Sequence, residues 1–233
     1  MRHIDSVKLF CVALTAFFTS CLGTADPPKE PNIFSLTITI PNAGQDFVVG
    51  NDTLTVIDFK MLIDSIRVLK NGQDEERFEP RPRLASYILG VADSYNIGAG
   101  TVRGGKFNGV GYSLVRPSLQ GNFEDPDLIE KDSRGFPIDS YSFSLNGVYK
   151  QNFFRFRSKV IKAVQYNFST TVQLGDFNGY IEARLRGNWK QWFVNSAGNG
   201  IMDPRDPANK TQIEDNILKY FDIFTISFGE VQQ

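Results

Sequence analysis

The stretch that decides the fold is Val164-Gln-Tyr-Asn-Phe-Ser-Thr-Thr-Val-Gln-Leu174, which carries apolar side chains at every second position, with Thr170 continuing the line. Successive side chains of a β-strand point to opposite faces, so this period predicts a strand with one buried face. The same alternation recurs in Phe34–Ile40, Tyr141–Leu145, Phe154–Arg157, Ile181–Arg186 and Phe224–Phe228. The pattern predicts a mostly β protein, an antiparallel β-sandwich of immunoglobulin-like or Greek-key type with one or two short helices.

Asn-Gly pairs punctuate these strands, and such pairs are typical of tight hairpin turns because both residues accept a positive φ. Asn146-Gly147 lies within an aromatic run, where a β-bulge is the alternative. One apolar segment, 58–69, fits both the helical and the strand period. The Asn71-Gly72 pair directly after it favours the strand.

Two segments are predicted to be helical. In 187–193, Trp189, Trp192 and Phe193 have the i, i+3, i+4 spacing of one helix face. In 211–214, Thr-Gln-Ile-Glu matches a capping box, so we expect a helix over 212–221 that packs against the sheet.

The N-terminus indicates export. Residues 1–20 combine a mostly basic start, an apolar run and small residues, which is the order of a signal peptide. The apolar run is too short to span a membrane. Cys21 lies where bacterial lipoproteins carry their lipidated cysteine, whereas ordinary cleavage after Ala25 would leave a soluble secreted protein. We therefore expect a lipid-anchored, flexible tether over 21–31 and a single β-sandwich domain over 32–233.

The composition excludes several classes of function. His3 is the single histidine and leaves with the signal peptide, which disfavours Ser-His-Asp catalysis and zinc hydrolysis. Cys11 leaves as well, so we expect no disulfide. Removal of 1–20 changes the formal net charge from −1 to −2, because two basic residues and one acid are lost. A near-neutral chain gives no electrostatic indication of nucleic-acid binding.

The candidate metal ligands lie in the segment 199–209. Calcium prefers oxygen ligands on a flexible loop, and this loop offers the side chains of Asn199, Asp203, Asp206 and Asn209. The alternative is a series of Asx-turns leading into the cap of the second helix. A second acidic cluster, Glu124-Asp125-Pro-Asp127, is interpreted as a solvated loop.

Two further groups of side chains are candidate ligand sites. Trp189 and Trp192 could form a stacking platform for sugar rings, or they could cover the sheet as part of the core. Arg155 and Arg157 lie on the polar face of a strand, as do Arg184 and Arg186. Ion pairs with neighbouring acids are the ordinary interpretation of both arginine pairs, and an anion site is the alternative.

The sequence resembles the MbnP-like exported bacterial lipoproteins. The resemblance lies in the order of four segments, 53–72, 97–114, 125–128 and 183–193, and of the aromatic region 141–156. It implies an exported β-sandwich lipoprotein, and some members of that family are associated with copper. A copper site usually draws on imidazole or sulfur, which the mature chain scarcely offers, so no copper ligand is transferred.

These observations predict a non-catalytic, lipid-anchored envelope protein that acts as a binding or structural accessory module. Leu22, rather than Asp, follows Cys21, which favours the outer membrane. The long loops 117–140 and 194–211 would present the binding surface to an envelope protein or a glycan. The alternatives are a calcium- or copper-related metal-binding protein and, more distantly, a carbohydrate-binding module or a carboxylate glycosidase.

Overall fold

The computed structural model describes residues 29–41, 44–70, 73–77, 83–88 and 94–230. The predicted signal peptide, Cys21, Ala25, most of the tether and the Asn71-Gly72 turn lie outside these residues. The segment Pro31–Gln232 forms one compact unit. Within the described residues, no helix is both long enough and apolar enough to cross a membrane.

The described part of the chain is mostly β-structure, with two short helices. Its strands are β1 Asn32–Thr39, β2 Phe47–Val49, β3 Asp52–Lys70, β4 Gln73–Arg77, β5 Arg83–Ile88, β6 Ser94–Val102, β7 Gly105–Leu114, β8 Ile129–Lys131, β9 Pro137–Ser140, β10 Phe143–Tyr149, β11 Asn152–Ser158, β12 Lys162–Leu174, β13 Gly179–Gly187 and β14 Phe221–Glu230. The helices are α1 Trp189–Trp192 and α2 Lys210–Lys219, and a 3₁₀ turn, Pro207–Asn209, precedes α2.

The strands form two large sheets and a small hairpin. The larger sheet has the order β11-β10-β3-β7-β12, and β2, β4 and β5 also pair with β3. The smaller sheet has the order β14-β13-β1-β6, and β8 pairs with β9. The predicted sandwich-like β architecture is confirmed, with one departure. β1 pairs with β13 in parallel, with Leu36 opposite Ala183, whereas the prediction was antiparallel throughout.

The deciding stretch forms β12, as predicted. Phe168, Val172 and Leu174 are buried, and Val164 is half-buried. Thr170 is exposed, because β12 shifts its register against β7 between Asn167 and Val172. The alternation therefore marks the two ends of the strand correctly and fails at the irregular centre.

The ambiguous segment 58–69 is part of β3, which confirms the strand. Both periods fit because β3 is buried on both faces over part of its length: the neighbours Leu62 and Ile63 are both buried. Ser65 has a φ of 55° and lies where the register between β3 and β7 shifts, so it bulges. The register between β10 and β3 also shifts at Asn146-Gly147, which supports the bulge alternative over a turn, although the extra residue is Ile57 of β3, opposite the pair.

Helix α1 fills the space where the two sheets meet. The Trp192 ring lies 5.2 Å from that of Phe59 in β3 and 5.2 Å from that of Phe221 in β14. A Cβ on Gly187 would come within 2.8 Å of the Trp192 ring, so glycine allows this close approach. The core of the sandwich therefore depends on an aromatic helix as well as on its strands.

Helix α2 packs on the core through Ile213 and Ile217. The helix begins two residues earlier than predicted, and the expected capping box is wrong. Asn209 is the residue before the helix and makes no side-chain cap bond, and Thr211 lies inside the first turn. The 3₁₀ turn continues directly into α2, and its own cap is Asp206, which accepts a hydrogen bond from the backbone N–H of Ala208.

Candidate functional site

An open cleft of about 340 Å³ lies beside β11, which is an edge strand of the larger sheet. The volume is in the range of small-molecule sites. Its polar lining comprises four basic side chains, one acidic side chain and a tyrosine: Arg155, Arg157, Arg205, Lys210, Asp206 and Tyr141. Among the described residues that line the cleft, basic side chains therefore outnumber acidic ones.

The alternation of β11 places two arginines at the cleft. Phe154 and Phe156 are buried, at 2% and 4% exposure, and they hold the strand on the core. Arg155 and Arg157 alternate with them, so their side chains lie on the opposite face. Both arginines reach the cleft for this reason.

Both guanidinium groups are held by β10 and by the loop 117–140, which carries the β8–β9 hairpin. Arg155 donates from Nε to Asn146 Oδ1 at 3.1 Å, and its Nη2 lies 3.5 Å from Asp127 Oδ1. Arg157 donates from Nη2 to the carbonyl of Pro126 at 3.1 Å and pairs with Glu130 at 3.4 Å. Arg155 is therefore held mainly by β10, and Arg157 by the loop.

The loop itself is held by Lys60 of β3. Its Nζ lies 3.0 Å from Asp125 Oδ2 and 2.5 Å from Asp127 Oδ2, and all three side chains are at most 16% exposed. The interpretation of this acidic cluster as a solvated loop holds for Glu124, which is exposed, but is wrong for Asp125 and Asp127. Its aspartates are largely buried because a lysine some 65 residues earlier in the chain neutralises them.

Charge and burial compete at this network. Burial alone would raise the pKa of Asp127, but the hydrogen bond and charge of Lys60, together with Asn146 and Arg155, hold it below its usual range. Burial would lower the pKa of Lys60, but the bonds to Asp127 and Asp125 raise it. For Asp58 burial prevails and raises the pKa. Lys60 and Asp127 therefore stabilise each other as an ion pair.

The loop 194–211 forms the other side of the cleft. Arg205 donates to both carboxylate oxygens of Asp203, at 2.9 and 2.8 Å, and its guanidinium lies 5.4 Å from the centre of the Tyr149 ring. These bonds from Arg205 lower the pKa of Asp203. The pair orients Arg205, and Lys210 at the start of α2 completes the basic lining.

The four predicted calcium ligands make other contacts. Asp203 binds Arg205, and Asp206 caps the 3₁₀ turn. Asn199 accepts a hydrogen bond from Asn195, and Asn209 donates to the main-chain carbonyl of Asp203. The geometry matches the Asx-turn alternative. Among the described residues, no group of three or more His, Cys, Asp or Glu side chains could hold a metal ion.

The two tryptophans lie in the core. Trp189 and Trp192 are 1% and 0% exposed, so neither ring offers a face to a sugar. The prediction of a stacking platform for sugars is therefore wrong. The burial of both rings supports the alternative, in which they cover the sheet as part of the core. Their Nε1 atoms are buried and have no hydrogen-bond partner within the described residues.

Sequence reasoning singled out Arg155 and Arg157 but missed Arg205 and Lys210. Arg205 stands between two aspartates of the segment interpreted as a calcium loop. A cation at that position was a signal against calcium and in favour of an internal ion pair. Arg184, by contrast, pairs with Glu182 two residues earlier on its own strand, as the ordinary interpretation predicted, although not across strands.

The cleft can bind a ligand through guanidinium donors. Each guanidinium carries five N–H groups, and the bonds described above use only some of them. Arg157 has a buried Nε without an acceptor among the described residues, and an unsatisfied buried donor costs about 1–3 kcal/mol. The arrangement offers oriented hydrogen-bond donors and positive charge to a bound group.

The fold and the cleft together define a β-sandwich protein with a cationic cleft at a sheet edge. No protein-family profile matches the chain, and no curated protein matches it. A solved structure, MbnP from Methylosinus trichosporium, is similar with a TM-score of 0.36 and 8% sequence identity. That match covers 88% of this chain and 100% of the other, and it is a weak structural resemblance only.

Proposed function

We propose that this chain is a non-catalytic binding protein of the bacterial envelope, anchored in the outer membrane through lipid on Cys21. It takes its ligand in the cleft beside β11. The observation that carries the proposal is the convergence of the loops 117–140 and 194–211. Both loops contact the arginines or line the cleft, although they are far apart in sequence.

The groups that line the cleft support binding rather than catalysis. General acid–base catalysis needs a group whose pKa is near the working pH. The pKa of Tyr141 is raised, because the ring is partly buried and its hydroxyl donates to Glu130. A carboxylate glycosidase needs two facing carboxylates, and Asp206 is the one carboxylate among the described lining residues.

The sequence supports the envelope location. The signal-peptide pattern, Cys21 and the proline-rich tether are the features of an exported lipoprotein, and the MbnP-like order of motifs points to the same class. No copper ligand is proposed for this chain. In a Cys21→Ala variant, the protein should leave the membrane fraction and lose lipid label. Unchanged fractionation and labelling would contradict the anchor.

The binding site can be tested with a steric block. Pro207 is exposed on the lip of the cleft, so Pro207→Trp narrows the cleft while keeping all of its charges. A thermal-shift panel of sugars, organic acids and phosphorylated metabolites should yield at least one ligand that raises the Tm of the wild type. The variant should not respond, and the ligand should be recovered unchanged. Equal responses of both proteins, or conversion of the ligand, would contradict the proposal.

A further inference from the structure

We infer that the cleft beside β11 binds an oxyanion, a phosphate, sulfate or carboxylate group, carried by a small ligand or a glycan. The inference rests on the proposed binding function and names the chemical class of its ligand. Its central groups are Arg155, Arg157, Arg205 and Lys210.

The first argument is the distribution of charge within the cleft. Four basic side chains and one carboxylate line it. That carboxylate, Asp206, already accepts the backbone N–H of Ala208, so it is committed to the 3₁₀ turn. The three arginines also pair with Asp127, Glu130 and Asp203, but these acids do not line the cleft, so the lining itself carries more positive than negative groups.

The second argument is that the guanidinium groups are held before any ligand arrives. Arg155 is fixed by Asn146, Arg157 by the Pro126 carbonyl, and Arg205 by Asp203. The partners of Arg155 and Arg157 lie on the 117–140 loop or on β10, and the partner of Arg205 lies in its own loop. A guanidinium whose orientation is fixed loses less side-chain entropy when a ligand binds.

The third argument is the match between the donors and an oxyanion. A guanidinium presents its N–H groups in a planar fork, which fits two oxygens of a phosphate, sulfate or carboxylate. A neutral sugar offers hydroxyl groups, which do not use the positive charge. The cleft should therefore prefer an anionic ligand to a neutral one of similar size.

The arginines cannot be explained as ion-pair partners alone. Asp127 is 2.5 Å from Lys60 and 3.5 Å from Arg155, so the lysine is its closer partner. The Arg155 side chain remains 45% exposed, and that of Arg205 remains 40% exposed. Both side chains are therefore accessible to solvent, and these partners use only some of the five N–H groups of each guanidinium.

The test is calorimetric titration at constant ionic strength with inorganic phosphate, sulfate, glucuronate and glucose. We expect at least one of the three anions to bind, and glucose to bind about tenfold more weakly or not at all. Phosphate or sulfate binding would indicate a tetrahedral group, and glucuronate binding would indicate a carboxylated sugar. Affinity should fall as salt is raised.

Two variants and a matched control locate the binding. Arg155→Gln and Lys210→Gln should each weaken anion binding by about tenfold or more, since each removes a charged donor. Arg184→Gln removes the same charge from the smaller sheet, where Arg184 is paired with Glu182, and should leave the affinity unchanged. Lys210 lies in α2 and not in the sheet. If Arg155→Gln is too unstable to measure, Lys210→Gln therefore still shows whether the anion binds in the cleft.

The outcomes separate this inference from the proposed function. Glucose binding that Pro207→Trp abolishes, without anion binding, would overturn the oxyanion inference and keep the cleft as a binding site. Anion binding equally affected in all three charge variants would show non-specific attraction and would also overturn the inference. If none of the four probes binds at about 10 mM, the oxyanion inference falls, and the wider ligand panel then decides the proposed function.

Discussion

The two loops that flank the cleft are held in different ways. The loop 117–140 is tied to β3 by a largely buried network, in which Lys60, Asp125 and Asp127 are 16%, 14% and 13% exposed. The loop 194–211 is held by local bonds, such as the pair between Arg205 and Asp203, whose side chains are 40% and 32% exposed. One loop thus depends on a distant residue and the other mainly on its own turns.

This difference predicts unequal effects of mutation. Removing one partner of a buried ion pair leaves an uncompensated charge out of water and costs several kcal/mol. An exposed pair gains little, because water screens it and because two long side chains lose freedom. The first loop should therefore be part of the cooperative fold, whereas the second should tolerate the loss of its ion pair.

The largest effect should come from Lys60→Met. The variant leaves Asp125 and Asp127 without their closest cation, so we expect the free energy of unfolding in urea to fall by about 3 kcal/mol. Arg205→Met is the matched control and should cost much less, because water screens an exposed ion pair. Equal losses in the two variants would show that the two loops are held alike.

An intermediate effect is expected for Asn216→Ala in α2. The Asn216 side chain donates to the carbonyls of Trp192 and Val194, at 3.3 and 3.0 Å, and so anchors the start of the loop 194–211. Leaving these carbonyls without their donor should lower the free energy of unfolding by about 1–2 kcal/mol. A loss as large as that of Lys60→Met would mean that this anchor, rather than local turns, dominates the second loop.

The pH dependence of stability should report on the carboxylates of both loops. The pKa values of Asp127 and Asp203 are lowered in the folded state, so their contributions are present above about pH 4 and are lost as the pH falls through the folded values. Asp58 has the opposite effect on stability. Burial disfavours its charged form and raises its pKa, so protonation of Asp58 at low pH removes a cost of folding. At high pH, the raised pKa of Lys60 means that its contribution is lost as the pH rises through the folded value.

Urea unfolding as a function of pH checks this prediction. In Lys60→Met, the acid-side loss should be smaller than in the wild type, because Asp127 no longer has the partner that lowers its pKa. The decrease in the free energy of unfolding at high pH should also be smaller than in the wild type, because the variant has no Lys60 to deprotonate. Curves parallel to that of the wild type in both ranges would contradict the role of this ion pair.

The smallest effect concerns calcium and the loop 194–211. Both carboxylate oxygens of Asp203 already accept hydrogen bonds from Arg205, so we expect millimolar calcium to leave the Tm unchanged. A calcium-dependent increase in Tm that Asp203→Asn abolishes would instead establish the site predicted from Asn199, Asp203, Asp206 and Asn209.

The fold could be predicted from the sequence because its main signal is local. Alternation along β12 and β13 identifies strands without knowledge of their partners, and the spacing of Trp189 and Trp192 identifies α1. The predicted range of α2, 212–221, lies two residues too far along the chain. The prediction took Thr211 as the cap, whereas Asp206 caps the turn that leads into the helix. The parallel pairing of β1 with β13 had no local signal at all.

The site could be predicted only in part, for the same reason. Arg155 and Arg157 stood out because they occupy the polar positions of an alternating strand. The burial of Asp125 and Asp127 depends on Lys60, which no pattern within the acidic cluster reveals. The tryptophans were ambiguous because a stacking platform and a core helix share one spacing, and burial alone separates them.

The measurement that tests the central claim most directly is an NMR titration of ¹⁵N-labelled protein with the tightest-binding anion from the calorimetric series. The Nε–H signals of Arg155, Arg157 and Arg205 and the backbone amides of 203–210 should shift together and saturate, while that of Arg184 stays unchanged. A saturable shift centred anywhere other than the cleft beside β11, or no saturable shift for any anion, would contradict the account.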